Sequence, residues 1–141
     1  MTYREATIAD IEQLSRIRMS VHENVLVNEN LVTYDLYVDY LTTRGKGWLC
    51  EADGKVVGFA IADVVGSSIW ALFVSPAYEG LGIGGRLHDM MLGWYFTRGK
   101  HKVWLTTSPG TRAEAFYRHK GWQETSRTQS GEIRFEYTRP L

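Results

Sequence analysis

Residues 67–96, SSIWALFVSPAYEGLGIGGRLHDMMLGWYF, constrain this chain more than any other stretch. An apolar run over residues 69–74 reaches Ser75 and Pro76, and Gly80, Gly82, Gly84 and Gly85 then fall within six positions. Ile83, Leu87, Met90, Met91, Trp94 and Tyr95 follow at helical spacing. The pattern is strand, glycine-rich turn, helix. A loop with few β-carbons lets an anion approach closely, and the first amides of a helix lack partners inside it. The stretch reads either as an anion site, of the kind that holds a cofactor pyrophosphate, or as a packing turn between strand and helix.

Composition narrows the partners. A length of 141 residues, 44% of them apolar, fits one domain with a sizeable core, residues 1–141. The 16 Lys and Arg balance the 16 Asp and Glu without a basic stripe, so nucleic acid is not an expected partner. Cys50 is the only cysteine, which excludes an intrachain disulfide framework or a Cys-rich zinc site. No H-x-x-x-H spacing supports a metal site. The start, MTYREATIAD, has no apolar stretch of a secretory leader, and no apolar run reaches the roughly 18 residues of a membrane span. A cytoplasmic protein with no membrane partner is expected. Five Trp and eight Tyr suggest a pocket or an interface as well as core. Trp94, Trp104 and Tyr137 are candidates for a homodimer surface.

Taken in order, residues 3–6 read as a short strand. Thr7 is a candidate N-cap for a helix carrying Ile11, Leu14, Ile17, Arg18 and Val21 on one face and ending near His22. Residues 23–32 read as a loop or as two short turns, with Asn24, Asn28 and Asn30 interrupting the pattern. Thr33 opens a second helix to about residue 43, with Leu36, Tyr40 and Leu41 inward and Gly45 and Gly47 as its stop. Residues 48–52 and 55–63 form a hairpin around Asp53-Gly54, with Gly58 a candidate bulge. After the glycine-rich helix, residues 102–107 are β-branched and aromatic, and Thr111 with Glu114 has the spacing of a capping box. Ala113, Phe116 and Tyr117 share a face of that helix and Gly121 ends it. Residues 122–128 and 133–138 are the last strands. This order predicts a mixed sheet with helices on both faces rather than a regular alternation.

Two landmarks together resemble the GCN5-related N-acetyltransferase (GNAT) superfamily. Glu79-Gly80-Leu81-Gly82-Ile83-Gly84 is similar to its Q/R-x-x-G-x-G/A loop, with Glu79 in place of Gln or Arg. Ala113 to Trp122, AEAFYRHKGW, is similar to its A-x-x-F-Y-x-x-x-G-F ending, with Trp122 for Phe. Gly110 stands six residues before Phe116, where many members have Asn. The resemblance implies an α/β (α+β mixed) acyl-CoA N-acyltransferase fold. Its central, mostly antiparallel sheet has six or seven strands and splays in the middle to admit acetyl-coenzyme A. It further implies acetyl transfer to a primary amine by direct attack; the acceptor stays open between a small molecule and a protein amine, and the compact size leans toward a small molecule.

Mapped onto this sequence, the resemblance puts the pyrophosphate on Leu81, Gly82, Ile83, Gly84 and Gly85, with Arg86 adding charge. Leu72, Phe73 and Val74 would run beside the pantetheine arm, and Gly110, Ala113, Phe116 and Tyr117 would be further cofactor-binding residues. Tyr117 occupies the general-acid position. The base stays open among His22, Glu23, Glu29, Glu51 and a water, with His22 singled out because imidazole titrates near neutrality. Glu23, Glu29, Asp35 and Asp39 favour a cationic amine if they line the acceptor side, and Tyr34, Tyr37 and Tyr40 would supply an aromatic wall. A non-catalytic acyl-coenzyme A sensor and an interaction domain with an empty cleft are the competing readings.

Overall fold

The computed structural model describes residues 1–21 and 32–141. Seven strands form one sheet in the order β1-β2-β3-β4-β5-β7-β6. The strands are β1 (Thr2–Glu5), β2 (Gly45–Ala52), β3 (Lys55–Asp63), β4 (Ser68–Val74), β5 (Lys102–Thr107), β6 (Gln123–Arg127) and β7 (Ile133–Thr138). Every neighbouring pair runs antiparallel except β4 and β5. The helices are α1 (Ile11–Ser20), α2 (Tyr34–Thr42), α3 (Ile83–Tyr95) and α4 (Arg112–His119). The expected mixed, mostly antiparallel sheet is therefore present.

Strand alternation sorts the core into two layers. Ile11, Leu14, Ile17 and Tyr37 of α1 and α2 pack on Leu49, Phe59, Ile61 and Ala71. Ile83, Leu87, Met91 and Tyr95 of α3, with Tyr117 of α4, pack on Trp48, Cys50, Val57, Ala60 and Phe135 from the other side. Burying one such side chain contributes roughly 1.5–3 kcal/mol.

Local chemistry sets the joints. Asp53 (φ 53°) and Gly54 (φ 76°) are both left-handed, the geometry that tightens a two-residue hairpin. A bulge lies at Val57, beside Gly58 rather than on it: Cys50 faces Gly58 while Glu51 faces Val56. Gly58 serves packing instead, because a β-carbon there would sit 3.1 Å from Ile83 Cγ2 and 3.3 Å from Leu87 Cδ1. The joint between β1 and α1 is fastened by Arg4, which donates to Asp10 Oδ2 at 2.9 Å and Oδ1 at 2.8 Å. That pairing holds the Asp10 carboxyl down at about 2.

Two expectations, for Gly45 with Gly47 and for Leu36, need correction. Gly45 and Gly47 do not stop a helix; α2 ends at Thr42 and both glycines lie inside β2. Gly45 is required there because a β-carbon would fall 1.7 Å from the Ala62 carbonyl oxygen, and at Gly47 one would fall 2.6 Å from Leu41 Cδ2, which would have to shift. On α2 the buried residue is Tyr37, while Leu36 is exposed. His88 of α3 is buried under Trp122. The aromatics proposed for an interface are half-buried within the chain: Trp94 packs on Trp48, Trp104 donates its indole N–H to the Gly66 carbonyl, and Tyr137 packs on Trp122.

Candidate active site

The sheet opens between β4 and β5. Their parallel register is recorded at one pair, Ser68 opposite Trp104, and β5 spends its full length on β7. Beyond that pair β4 continues alone on this edge. The Ser75 amide donates to the Val57 carbonyl at 2.8 Å, so it faces β3. Amide directions alternate along a strand, which turns the backbone groups of Leu72 and Val74 toward the opening. Among the described residues they have no recorded partner on this side, and they rim a cleft of about 210 Å³.

The glycine loop closes one end of this cleft. Gly80 (φ 79°) and Gly82 (φ 83°) take the left-handed conformation, and Gly82 is the N-cap of α3. The amides of Ile83, Gly84 and Gly85 are thus the first of the helix, at its positive pole. A β-carbon at Gly84 would lie 3.5 Å from Val74 Cγ2 and 3.8 Å from Phe116 Cε1, so this glycine sits between β4 and α4. The Lys120 ammonium comes within 3.5 Å of where a Gly85 β-carbon would stand, and it also holds Asp89 at 3.1 Å. A cradle of bare backbone, helix pole and ammonium suits a diphosphate.

α4 forms the far wall. Thr111 caps it by accepting from the Glu114 amide at 3.2 Å. The Glu114 carboxylate lands on the Gly110 amide at 2.8 Å, so it reaches the residue before the cap. Ala113, Phe116 and Tyr117 line the cleft. Tyr117 is 6% exposed and its ring is fixed by Phe116, Trp122 and Phe135. Burial pushes its phenol well above the usual range, so it keeps its proton at neutral pH.

Most of the residues singled out from sequence therefore converge. Leu72, Phe73, Val74, Gly82, Ile83, Gly84, Gly85, Ala113, Phe116 and Tyr117 all line the cleft. Leu81 is exposed on the loop. Arg86 turns away and lies over the Tyr3 ring at 4.3 Å, while Gly110 is held by Glu114 outside the lining. Sequence reading missed Val21, Tyr78 and Arg112 as lining residues. Glu79 also lines the mouth, where Arg112 pairs with it at 3.5 Å, which explains how a carboxylate is tolerated there. His22, Glu23 and Glu29 lie outside the described residues. Glu51 is held by Arg4 at 2.9 Å on the β1–β2 edge.

On the other face of the sheet, the aromatic wall is built from Tyr40 stacked on Trp70 at 4.2 Å and Tyr37 edge-on to it at 5.1 Å. Tyr34 is exposed. Arg44, paired with the buried Asp63 at 3.0 Å, lies over Tyr40, and Arg18 lies over Trp70 and Phe73. Of the acidic residues singled out from sequence, Asp35 is exposed and Asp39 half-buried, and Glu23 and Glu29 lie outside the described residues.

The model of the Acetyltransferase (GNAT) family matches residues 11–122, a stretch containing α1, the glycine loop and Tyr117. The chain belongs to the GNAT family. The uncharacterized N-acetyltransferase ycf52-like of Prochlorococcus marinus is 31% identical over 71 residues. That match covers 48% of this chain and 38% of the relative, so the chain spans well under two thirds of it. Among solved GNAT-fold structures, the ribosomal-protein-alanine N-acetyltransferase from Brucella melitensis superposes with a TM-score of 0.81 at 24% identity, covering 99% of this chain and 100% of that one. The PaiA N-acetyltransferase from Thermoplasma acidophilum, solved in complex with coenzyme A, gives 0.83 at 15% identity over 98% of each chain. At these identities the likeness to both structures is one of fold. Among the described residues no helix is long and apolar enough to cross a membrane, and no group of three or more His, Cys, Asp or Glu is placed to hold a metal.

Proposed function

We propose that this chain is a single-domain, cytoplasmic N-acetyltransferase that moves the acetyl group of acetyl-coenzyme A to a primary amine of a small molecule. The observation that carries the reading is the opening of the sheet beside Leu72 and Val74, between the α3 N-terminus and the buried Tyr117 hydroxyl. Acetyl-coenzyme A, when bound, supplies an activated thioester. The amides of Ile83, Gly84 and Gly85 bind its diphosphate, and the free backbone groups of Leu72 and Val74 orient its amide-bearing arm. A backbone amide near Leu72 is placed to stabilise the oxyanion that develops on the carbonyl.

The residues then have a division of labour. The amine must arrive neutral, with its lone pair toward the thioester carbon. As the new C–N bond forms and the C–S bond breaks, the nitrogen gives up a proton to water or a base and the leaving thiolate takes one. Tyr117 holds one at its phenolic oxygen, and burial keeps it protonated across the neutral range; the phenolate left behind takes back a proton from solvent. Among the described residues the Tyr117 hydroxyl has no hydrogen bond to another side chain, which leaves that proton available to the cleft.

The experiment is an amine panel read by thiol release, with mass measurement of the product. Thiol release with an acetylated amine is the expected result. Tight coenzyme A binding with no transfer across the panel would turn the reading toward a sensor, and no binding by calorimetry would end it.

A further inference from the structure

Among the described residues, the Arg18 guanidinium is the least satisfied charge. Its Nε and Nη1 are shielded from water and have no hydrogen-bond partner, and no ion pair reaches it among those residues. Its carbon lies 5.0 Å from the Phe73 ring centroid and 5.6 Å from that of Trp70. Attraction to two ring faces offsets part of the lost hydration. It leaves the N–H groups without acceptors, and a shielded donor without an acceptor is costly.

The location gives those donors a use. Arg18 is one helical turn before Val21, and Val21 and Phe73 both line the cleft. Trp70 and Phe73 pack with α1 and α2, on the face of the sheet opposite α3 and its glycine loop. A molecule held at the α3 N-terminus passes through the β4–β5 opening before it reaches this face. Arg18 therefore stands where the acceptor enters. Each edge of a guanidinium offers two parallel N–H groups, and each edge here combines one shielded nitrogen with Nη2.

We propose that Arg18 recognises a carboxylate on the acceptor, so that the amine acetylated is one that also bears an anionic group, as an amino acid does. This rests on the transferase reading for the chemistry but not for the binding. A carboxylate offers two oxygens in a plane and meets the fork with two charge-assisted bonds.

The test compares L-amino acids with the corresponding L-amino-acid amides as acceptors. The wild type is expected to favour the carboxylate member by about tenfold or more in kcat/KM, the scale of one charge-assisted hydrogen bond. In Arg18→Met that preference disappears while the KM for acetyl-coenzyme A moves less than about twofold, since the change lies on the opposite face. Arg18→Lys, which keeps charge but loses the fork, falls between. Equal use of acid and amide by the wild type, or a preference that survives in Arg18→Met, overturns the proposal. The two readings fail separately. The Arg18 Nε–H resonance, assigned by its loss in Arg18→Met, is followed while amino acids or their amides are titrated into the coenzyme A-loaded protein. A saturable shift with the acids alone supports the site even if no thiol is released; no shift with either overturns it.

Discussion

Trp122 donates its indole N–H to His88 Nε2 across 3.0 Å, and both side chains are buried. The bond places the imidazole proton on Nδ1, 2.8 Å from Asp89 Oδ1, and ties α3 to the residues following α4. Burial first, then the Lys120 charge, hold His88 below the ordinary imidazole range, with the Asp89 contact opposing them. The unfolded chain therefore takes up a proton at a higher pH than the folded one. In that window the unfolded state is favoured, and stability falls as pH falls. The thermal midpoint is expected to drop from about pH 7 downward through about 6. His88→Gln, whose amide oxygen still accepts from the indole, should flatten the slope. A wild-type midpoint that stays level through this range, followed by circular dichroism, would contradict the assignment.

Tyr117→Phe keeps the ring against Phe116, Trp122 and Phe135 and removes the oxygen. If that oxygen protonates the leaving thiolate, kcat falls by roughly 10²–10⁴-fold while coenzyme A affinity moves little. Because burial raises the phenol, the acid stays loaded above neutrality, and kcat should show no alkaline decline attributable to it below about pH 10. Equal turnover of the two proteins at saturating cofactor would remove the role.

Much of this site is legible in the chain because it is local. The glycine loop, the strand before it and the cap at Thr111 are each written in a few consecutive residues. What escaped is what depends on which residues meet across the fold. Arg112 and Glu79 are far apart in sequence and find each other only when α4 docks beside the loop. Gly45 and Gly47 looked like a helix stop because their use, close passage under Ala62 and Leu41, lies in residues they do not adjoin. His88 shared a stripe with Gly84, Met91 and Tyr95, a spacing that could have marked it as inward despite its polarity. Arg18 was on the inward list, yet no pattern says that a cation there would meet two ring faces and, among the described residues, no counter-ion.

The Glu79–Arg112 pair at the mouth sets opposing charges beside a site read as binding a diphosphate. Both side chains are well exposed, so the pair itself contributes little, on the order of 0–1 kcal/mol. Its effect should fall on the ligand. Glu79→Gln removes a like charge and releases Arg112 from its carboxylate, so coenzyme A binding should tighten severalfold at low salt. Arg112→Gln should weaken binding by a similar factor, and both effects should shrink as salt screens the site. Calorimetry at two ionic strengths reads this directly; tighter binding by Arg112→Gln would reverse the assignment of charge.

Gly82 and Gly84 separate folding from binding. Gly82 is left-handed at φ 83°, so Gly82→Ala strains the backbone by about 1–2 kcal/mol and should lower both the thermal midpoint and coenzyme A affinity. Gly84 has no such strain, and the contacts of an added methyl, 3.5 Å to Val74 and 3.8 Å to Phe116, are ordinary. Alanine is also the better helix former by roughly 1 kcal/mol, so Gly84→Ala should leave stability unchanged or raise it. The same methyl stands between β4 and α4, where the ligand must approach the first amides of α3. Coenzyme A affinity should therefore fall by more than about tenfold, equivalent to roughly 1.4 kcal/mol. A Gly84→Ala protein that melts like the wild type and binds coenzyme A as tightly would show that the diphosphate does not rest on this turn.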